Sequence, residues 1–153
     1  MIGLYDSRFV KFDHDESEGI LQQIWNYTHD RNDLHFYQSI NQFLYIVNKY
    51  KVNKLLIDFS NFTFCLDAQS QKWVEQNVIK GLAKKNISRI AIVKSKDTAT
   101  QDSLHTLFNM GVSQSINTVF FDTATEAKQW LLMSAKGNNA RVQKVTQKVL
   151  SGM

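Results

Sequence analysis

The chain has 153 residues, of which 43% are hydrophobic, 12% aromatic and 21% charged; this balance describes one folded domain with a sizeable core and excludes a disordered chain. A single cysteine, Cys65, excludes an internal disulfide and fits a reducing compartment. The net charge of +4 is concentrated: Lys136, Arg141, Lys144 and Lys148 fall in residues 134–153 with no acid, and the other 14 of the 18 basic residues balance 14 acidic ones, which argues against a specific nucleic-acid-binding body, whose folded face would be basic.

In chain order, residues 2–12 (IGLYDSRFVKF) alternate in part and predict a strand. Residues 13–19 (DHDESEG) predict a polar, acidic turn, with Gly19 available for positive φ. Residues 20–27 (ILQQIWNY) predict the returning strand of a hairpin. Phe36, Ile40, Phe43, Leu44 and Val47 recur at helical spacing, so residues 33–50 predict an amphipathic helix, with Asn32 or Asp33 as its cap. Residues 54–60 (KLLIDFS) form a nearly continuous apolar run, the pattern of a strand covered on both faces.

The next helix is predicted from Asp67, a good N-cap, through the stripe Val74, Val78 and Leu82, to Asn86 at its C-terminal end, with Gly81 weakening it inside. RIAIV (89–93) predicts a buried strand. TATQDSLHTLFNMG (98–111) predicts a third helix, capped by Thr98 with Gln101 or by Thr100. NTVFFD (117–122) predicts the last strand, and Thr123 with Glu126 has capping-box spacing at the start of the fourth helix. The alternation implies an α/β fold: an N-terminal β-hairpin, then αβ units on a mainly parallel five-stranded sheet with about four helices. Residues 1–133 form the expected domain. Residues 134–153 are expected to be a basic helical extension or tail, with Val142, Val145 and Val149 on one face where it is helical.

This order of elements resembles the STAS superfamily, in particular its divergent SpoIIAA-like (STAS or CRAL-TRIO-like) branch, over roughly residues 2 to 133. LLIDFSNF is similar to the family's core strand and its exit, QKWVEQ with KNISRIAIV to the helix and strand that follow, and FFDTATEAKQWL to the terminal strand and helix. The resemblance implies a non-catalytic regulatory module, like the anti-sigma factor antagonists, that pairs with a kinase or anti-sigma-factor-like protein. The family's switch motif reads Asp-Ser-Ser/Thr-Gly. Here the matching stretch is Asp67-Ala68-Gln69-Ser70, so the module is expected to act without the usual phosphoserine switch. The bland reading of Ser70 is a first-turn serine under the Asp67 cap.

Asp58, Asp67, Ser70 and Trp73 are therefore the candidate partner-binding or switch residues. Asp58 with Lys94 also has the placement of a receiver-domain phosphoacceptor, without the acidic pair that holds magnesium. Phe59, Phe62 and Phe64 crowd the same strand exit. They either tuck under the next helix or line a site for a small, lipid-like apolar ligand, which is the alternative function. His14, His29, His35 and His105 show no zinc spacing, and His29, Asp30, Asp33 and His35 read as a polar helix entry rather than a metal site. Cys65 has no local histidine to activate it.

No nucleotide-loop, nucleophile-elbow or acid–base set stands out, so no enzyme activity, cofactor or metal is expected. A homodimer built through the basic extension is a further expectation. No run of about 18 apolar residues and no signal-peptide pattern is present. The expected setting is cytoplasmic, without membrane contact.

Overall fold

The computed structural model describes residues 1–26, 33–64, 67–111 and 116–133. Among them, six strands form one mixed sheet in sequence order: β1 (Ile2–Asp6), β2 (Val10–Asp15), β3 (Ile20–Trp25), β4 (Lys54–Asp58), β5 (Arg89–Val93) and β6 (Asn117–Phe121). The first two ladders are antiparallel and the last three parallel. The α/β class is as the sequence predicts. The sheet has six strands rather than five, because the single strand expected over residues 2–12 breaks in two.

The break lies in Ser7-Arg8-Phe9. The Ser7 hydroxyl accepts from the amides of Phe9 and Val10, both at 3.2 Å, while the Ser7 amide donates to the Val10 carbonyl at 2.9 Å. A serine that satisfies backbone donors locally closes a turn where the strand pattern alone runs on. The following turn is the expected one. Gly19 adopts φ 68°, and a Cβ there would meet the Asn53 side chain at 2.6 Å. Its carbonyl accepts from the amides of Asn53 and Lys54 at 2.9 and 3.1 Å, tying the turn to the start of β4.

α1 spans Asp33–Lys49. α2 (Ala68–Val74) runs directly into a π-helical turn (Glu75–Ile79), then α3 (Lys80–Leu82) and a 3-10 turn (Ala83–Lys85). This rod ends at Asn86, whose φ of 63° is left-handed, a conformation asparagine tolerates better than most residues. α4 spans Thr98–Gly111 and α5 Ala124–Leu132. Each parallel strand is added on the same side of the last, so connections of one hand bring their helices to one face. The core divides accordingly. The larger part packs α1, the 68–85 rod and α4 against Phe12, Leu21, Trp25, Leu55, Ile57 and Ile90. The smaller part packs Ala127, Trp130 and Leu131 of α5 against Leu56, Ala91, Val93 and Phe121.

One cap differs in detail from expectation, and one is as expected. α4 is capped by Asp97, not Thr98: its carboxylate accepts from the Thr100 amide at 3.0 Å and the Thr100 hydroxyl at 2.6 Å. A carboxylate one residue upstream reaches the free amide better than the threonine does. Gln101 instead accepts from the Ser95 amide at 2.9 Å. At α5, Thr123 is the cap, accepting from the Glu126 amide at 3.2 Å. The far end of α5 is held by Arg89, which donates to the carbonyls of Trp130 and Met133 at 3.2 and 2.9 Å. Burial lowers the pKa of that guanidinium. The basic extension, Cys65, and the cluster of His29 and Asp30 lie outside the described residues. No helix among the described residues is long and apolar enough to cross a membrane.

Candidate functional site

The candidate residues gather where β4 ends and α2 begins. Asp58, half-buried at the end of β4, accepts from the Ser60 amide at 2.9 Å, the short loop that an aspartate forms with its own backbone. The exit loop is then pinned to its neighbour: the Ser95 hydroxyl donates to the Phe62 carbonyl at 2.7 Å, and the Phe62 amide to the Phe59 carbonyl at 3.0 Å. Lys94 forms an ion pair at 3.3 Å with Asp122, at the end of β6. The receiver-like pairing of Asp58 with Lys94 is therefore not what these side chains do.

Asp67 is the N-cap of α2, with extended backbone, accepting from the Ser70 amide at 2.7 Å. That amide, and then the Ser70 hydroxyl, hold the Asp67 carboxyl below its ordinary pKa, since both donate to the charged form. Ser70 is buried, only 6% exposed. Its hydroxyl shares a hydrogen bond of 2.9 Å with the phenol of Tyr37 on α1. Trp73, one turn further along α2, is half-buried and meets the Tyr37 ring edge-on at 4.8 Å between centroids. The structure thus brings Asp67, Ser70 and Trp73 together around Tyr37. Asp58 stands apart, held in its own turn.

Around this group the surface is part apolar. Leu34, one helical turn before Tyr37, is 58% exposed, while Asp67, Ala68, Gln69 and Lys72 are exposed. Residues three apart on a helix are neighbours, so exposed Leu34 adjoins half-buried Tyr37, which meets Ser70 and Trp73 of α2.

The three phenylalanines divide. Phe59 and Phe62 are buried and Phe64 is half-buried, stacked on Phe36 at 5.1 Å between centroids. Phe59 and Phe62 pack against Trp25, at 6.2 and 6.1 Å. They also border a cavity of about 50 Å3 between the sheet and the helices, which Trp25, Phe36, Val78 and Phe108 help to line. Phe64 is not among its lining residues. So Phe59 and Phe62 both complete the core and border its void, while Phe64 packs at the edge of the core.

One amide also borders that void. Gln23 is 1% exposed, and its Oε1 accepts from Trp25 Nε1 at 3.0 Å. Indole is only a donor, so it fixes which end of the amide faces it. Gln23 Nε2 then has no hydrogen-bond partner among the described residues, at a cost of about 1–3 kcal/mol for a buried donor left unmade.

Tyr37, Leu34 and Gln23 were not singled out by the sequence. Gln23 carries a readable signal: in LQQIW it occupies the alternate position between Leu21 and Trp25, on the core face of its strand. Tyr37 carries none, because its partner lies 33 residues away. Neither a protein-family model nor a curated protein matches the chain.

Proposed function

We propose that the chain is a non-catalytic regulatory interaction module resembling the anti-sigma factor antagonists, and that it engages a protein partner through the strip formed by the starts of α1 and α2. The carrying observation is the exposed, part-apolar strip of Leu34 beside the Tyr37–Trp73 aromatic pair and the Asp67-capped turn. Aromatic anchors with a polar rim are the composition of the energetic centre of protein interfaces. The expected partner is a kinase-like or anti-sigma-factor-like protein, by resemblance.

On this reading Ser70 is structural rather than a phosphoacceptor. Its hydroxyl is buried against Tyr37, and a kinase would have to break that bond and expose the turn before reaching it. The interaction is then governed by the shape and charge of the strip, in a cytoplasmic setting.

The test is a photo-crosslinking amino acid placed at exposed Gln69, in the full chain in its own host, with a second placed at exposed Lys11 on β2. Gln69 should give one discrete adduct that disappears when Leu34→Asp is added, and Lys11 should not give it. The same adduct from both positions, or one insensitive to Leu34→Asp, would place the partner elsewhere. Intact mass of the same protein reports whether Ser70 carries phosphate, and a stoichiometric phosphate there would overturn the structural role.

A further inference from the structure

The cavity under the 68–85 rod makes a second kind of binding available, independent of the partner strip. We propose that it is a site for a small, mainly apolar molecule, or the end of one, that accepts a single hydrogen bond from Gln23 Nε2.

Three observations converge. The void is walled by aromatic and aliphatic side chains, Trp25, Phe59, Phe62, Val78, Ile79 and Phe108 among them. Gln23 supplies the only side-chain amide in that wall, buried and with a donor that meets no acceptor among the described residues. The amide cannot turn to relieve this, because its oxygen is held by the Trp25 indole at 3.0 Å. The third observation is the π-helical turn Glu75–Ile79. Its Val78 and Ile79 are adjacent in sequence and both line the void. Single π turns of this kind are rare inside α-helices and occur frequently at functional sites.

Water is a poor occupant. A buried water is held by about two to four polar partners, and this wall offers one amide. An apolar molecule without an acceptor would leave Nε2 as it is. A molecule with one acceptor and an otherwise apolar body satisfies both walls at once. The volume sets its size. A cavity of roughly 150 Å3 takes benzene, so about 50 Å3 admits a group of about two or three non-hydrogen atoms on the same scale. That excludes a whole lipid chain from the cavity as it stands. The apolar-ligand alternative thus narrows from a lipid carrier to a small-molecule pocket, or to recognition of a polar-tipped chain end.

The experiment uses a matched pair of probes on the full chain, acetonitrile and propyne, which share shape while only acetonitrile carries a good acceptor. Titrations are followed by NMR of the glutamine side-chain amides. Acetonitrile should bind saturably, shift the Gln23 amide, and bind about tenfold more tightly than propyne, the preference expected of one net hydrogen bond. Gln23→Leu should abolish that preference. That variant also takes the acceptor from Trp25, so Val78→Leu serves as the second: it narrows the void, keeps Gln23, and should weaken both probes.

Equal affinity for the two probes would overturn the role of Gln23. No saturable binding of either, or a long-lived water on the Gln23 amide that neither probe displaces, would overturn the site. The partner strip is read by crosslinking at Gln69, so either proposal can fail while the other stands.

Discussion

Two helices that follow parallel strands begin alike. Asp67-Ala68-Gln69-Ser70 opens α2 and Asp97-Thr98-Ala99-Thr100 opens α4. In each, an aspartate accepts from the amide of a hydroxyl residue three places on, at 2.7 and 3.0 Å, and that residue is buried. The difference is how far the hydroxyl reaches. Thr100 returns to its own cap, donating to Asp97 at 2.6 Å. Ser70, which also lowers the pKa of the Asp67 carboxyl, is shared in addition with Tyr37, on another helix, at 2.9 Å. The start of α4 is thus closed by local chemistry, while the start of α2 is joined to α1. A segment whose geometry depends on a second helix can report on that helix, and a self-closed cap cannot.

The largest effect should come from the self-closed turn. Thr100→Val keeps the shape and the amide bond but removes the hydroxyl from the Asp97 carboxylate. The expected loss is about 1.5–3 kcal/mol, the scale of a hydrogen bond to a charged group, read from urea unfolding. A loss smaller than that of Ser70→Ala would reverse the ranking of the two turns.

The next effect is smaller but carries more about the site. Ser70→Ala and Tyr37→Phe should each cost about 1 kcal/mol, a net neutral hydrogen bond. The double variant should cost less than their sum, with a coupling of about 0.5 kcal/mol or more. Thr100→Val combined with Tyr37→Phe should be additive. Strict additivity of Ser70→Ala with Tyr37→Phe would mean that the two helices are not joined there.

These contrasts also mark what the sequence made legible. The caps at Asp67 and Thr123, the left-handed Asn86 and the positive φ of Gly19 follow from residues within a few places of one another, so local pattern carried them. The strand break at Ser7 is also local, but the partial apolar alternation of Ile2, Leu4, Val10 and Phe12 masked a turn that one hydroxyl closes. Asp97 lost to Thr98 as the expected cap because a capping-box spacing outweighed a plain aspartate one residue earlier. The Tyr37–Ser70 bond and the void beside Gln23 are tertiary. They depend on how α1 and the π turn settle on the sheet, which no spacing within either helix encodes. The three phenylalanines show the same limit: they read as one group, yet two line the void and Phe64 stacks on Phe36.

The smallest effect tests the electrostatics of the α2 turn. The Asp67 carboxyl is held below its ordinary value of 3.8, first by the Ser70 amide and second by the Ser70 hydroxyl. A carboxyl whose folded pKa is depressed adds stability above the unfolded value, and that contribution disappears as pH falls through the folded value. Asn in place of Asp67 still caps the helix but has no charge to lose. The advantage of the natural chain over Asp67→Asn should therefore hold steady from neutral pH down to just above 3.8 and shrink below it. Ser70→Ala removes the second of the two donors while leaving the first. In an NMR titration it should move the Asp67 carboxyl part of the way back up toward 3.8, and Tyr37→Phe should change that value less, because the phenol reaches the carboxylate only through Ser70. An equal upward shift from both variants would make Tyr37, Ser70 and Asp67 one continuous chain of hydrogen bonds. No shift from Ser70→Ala would leave the amide as the whole cause and make the Ser70 hydroxyl a link to α1 alone, unlike the hydroxyl that closes α4.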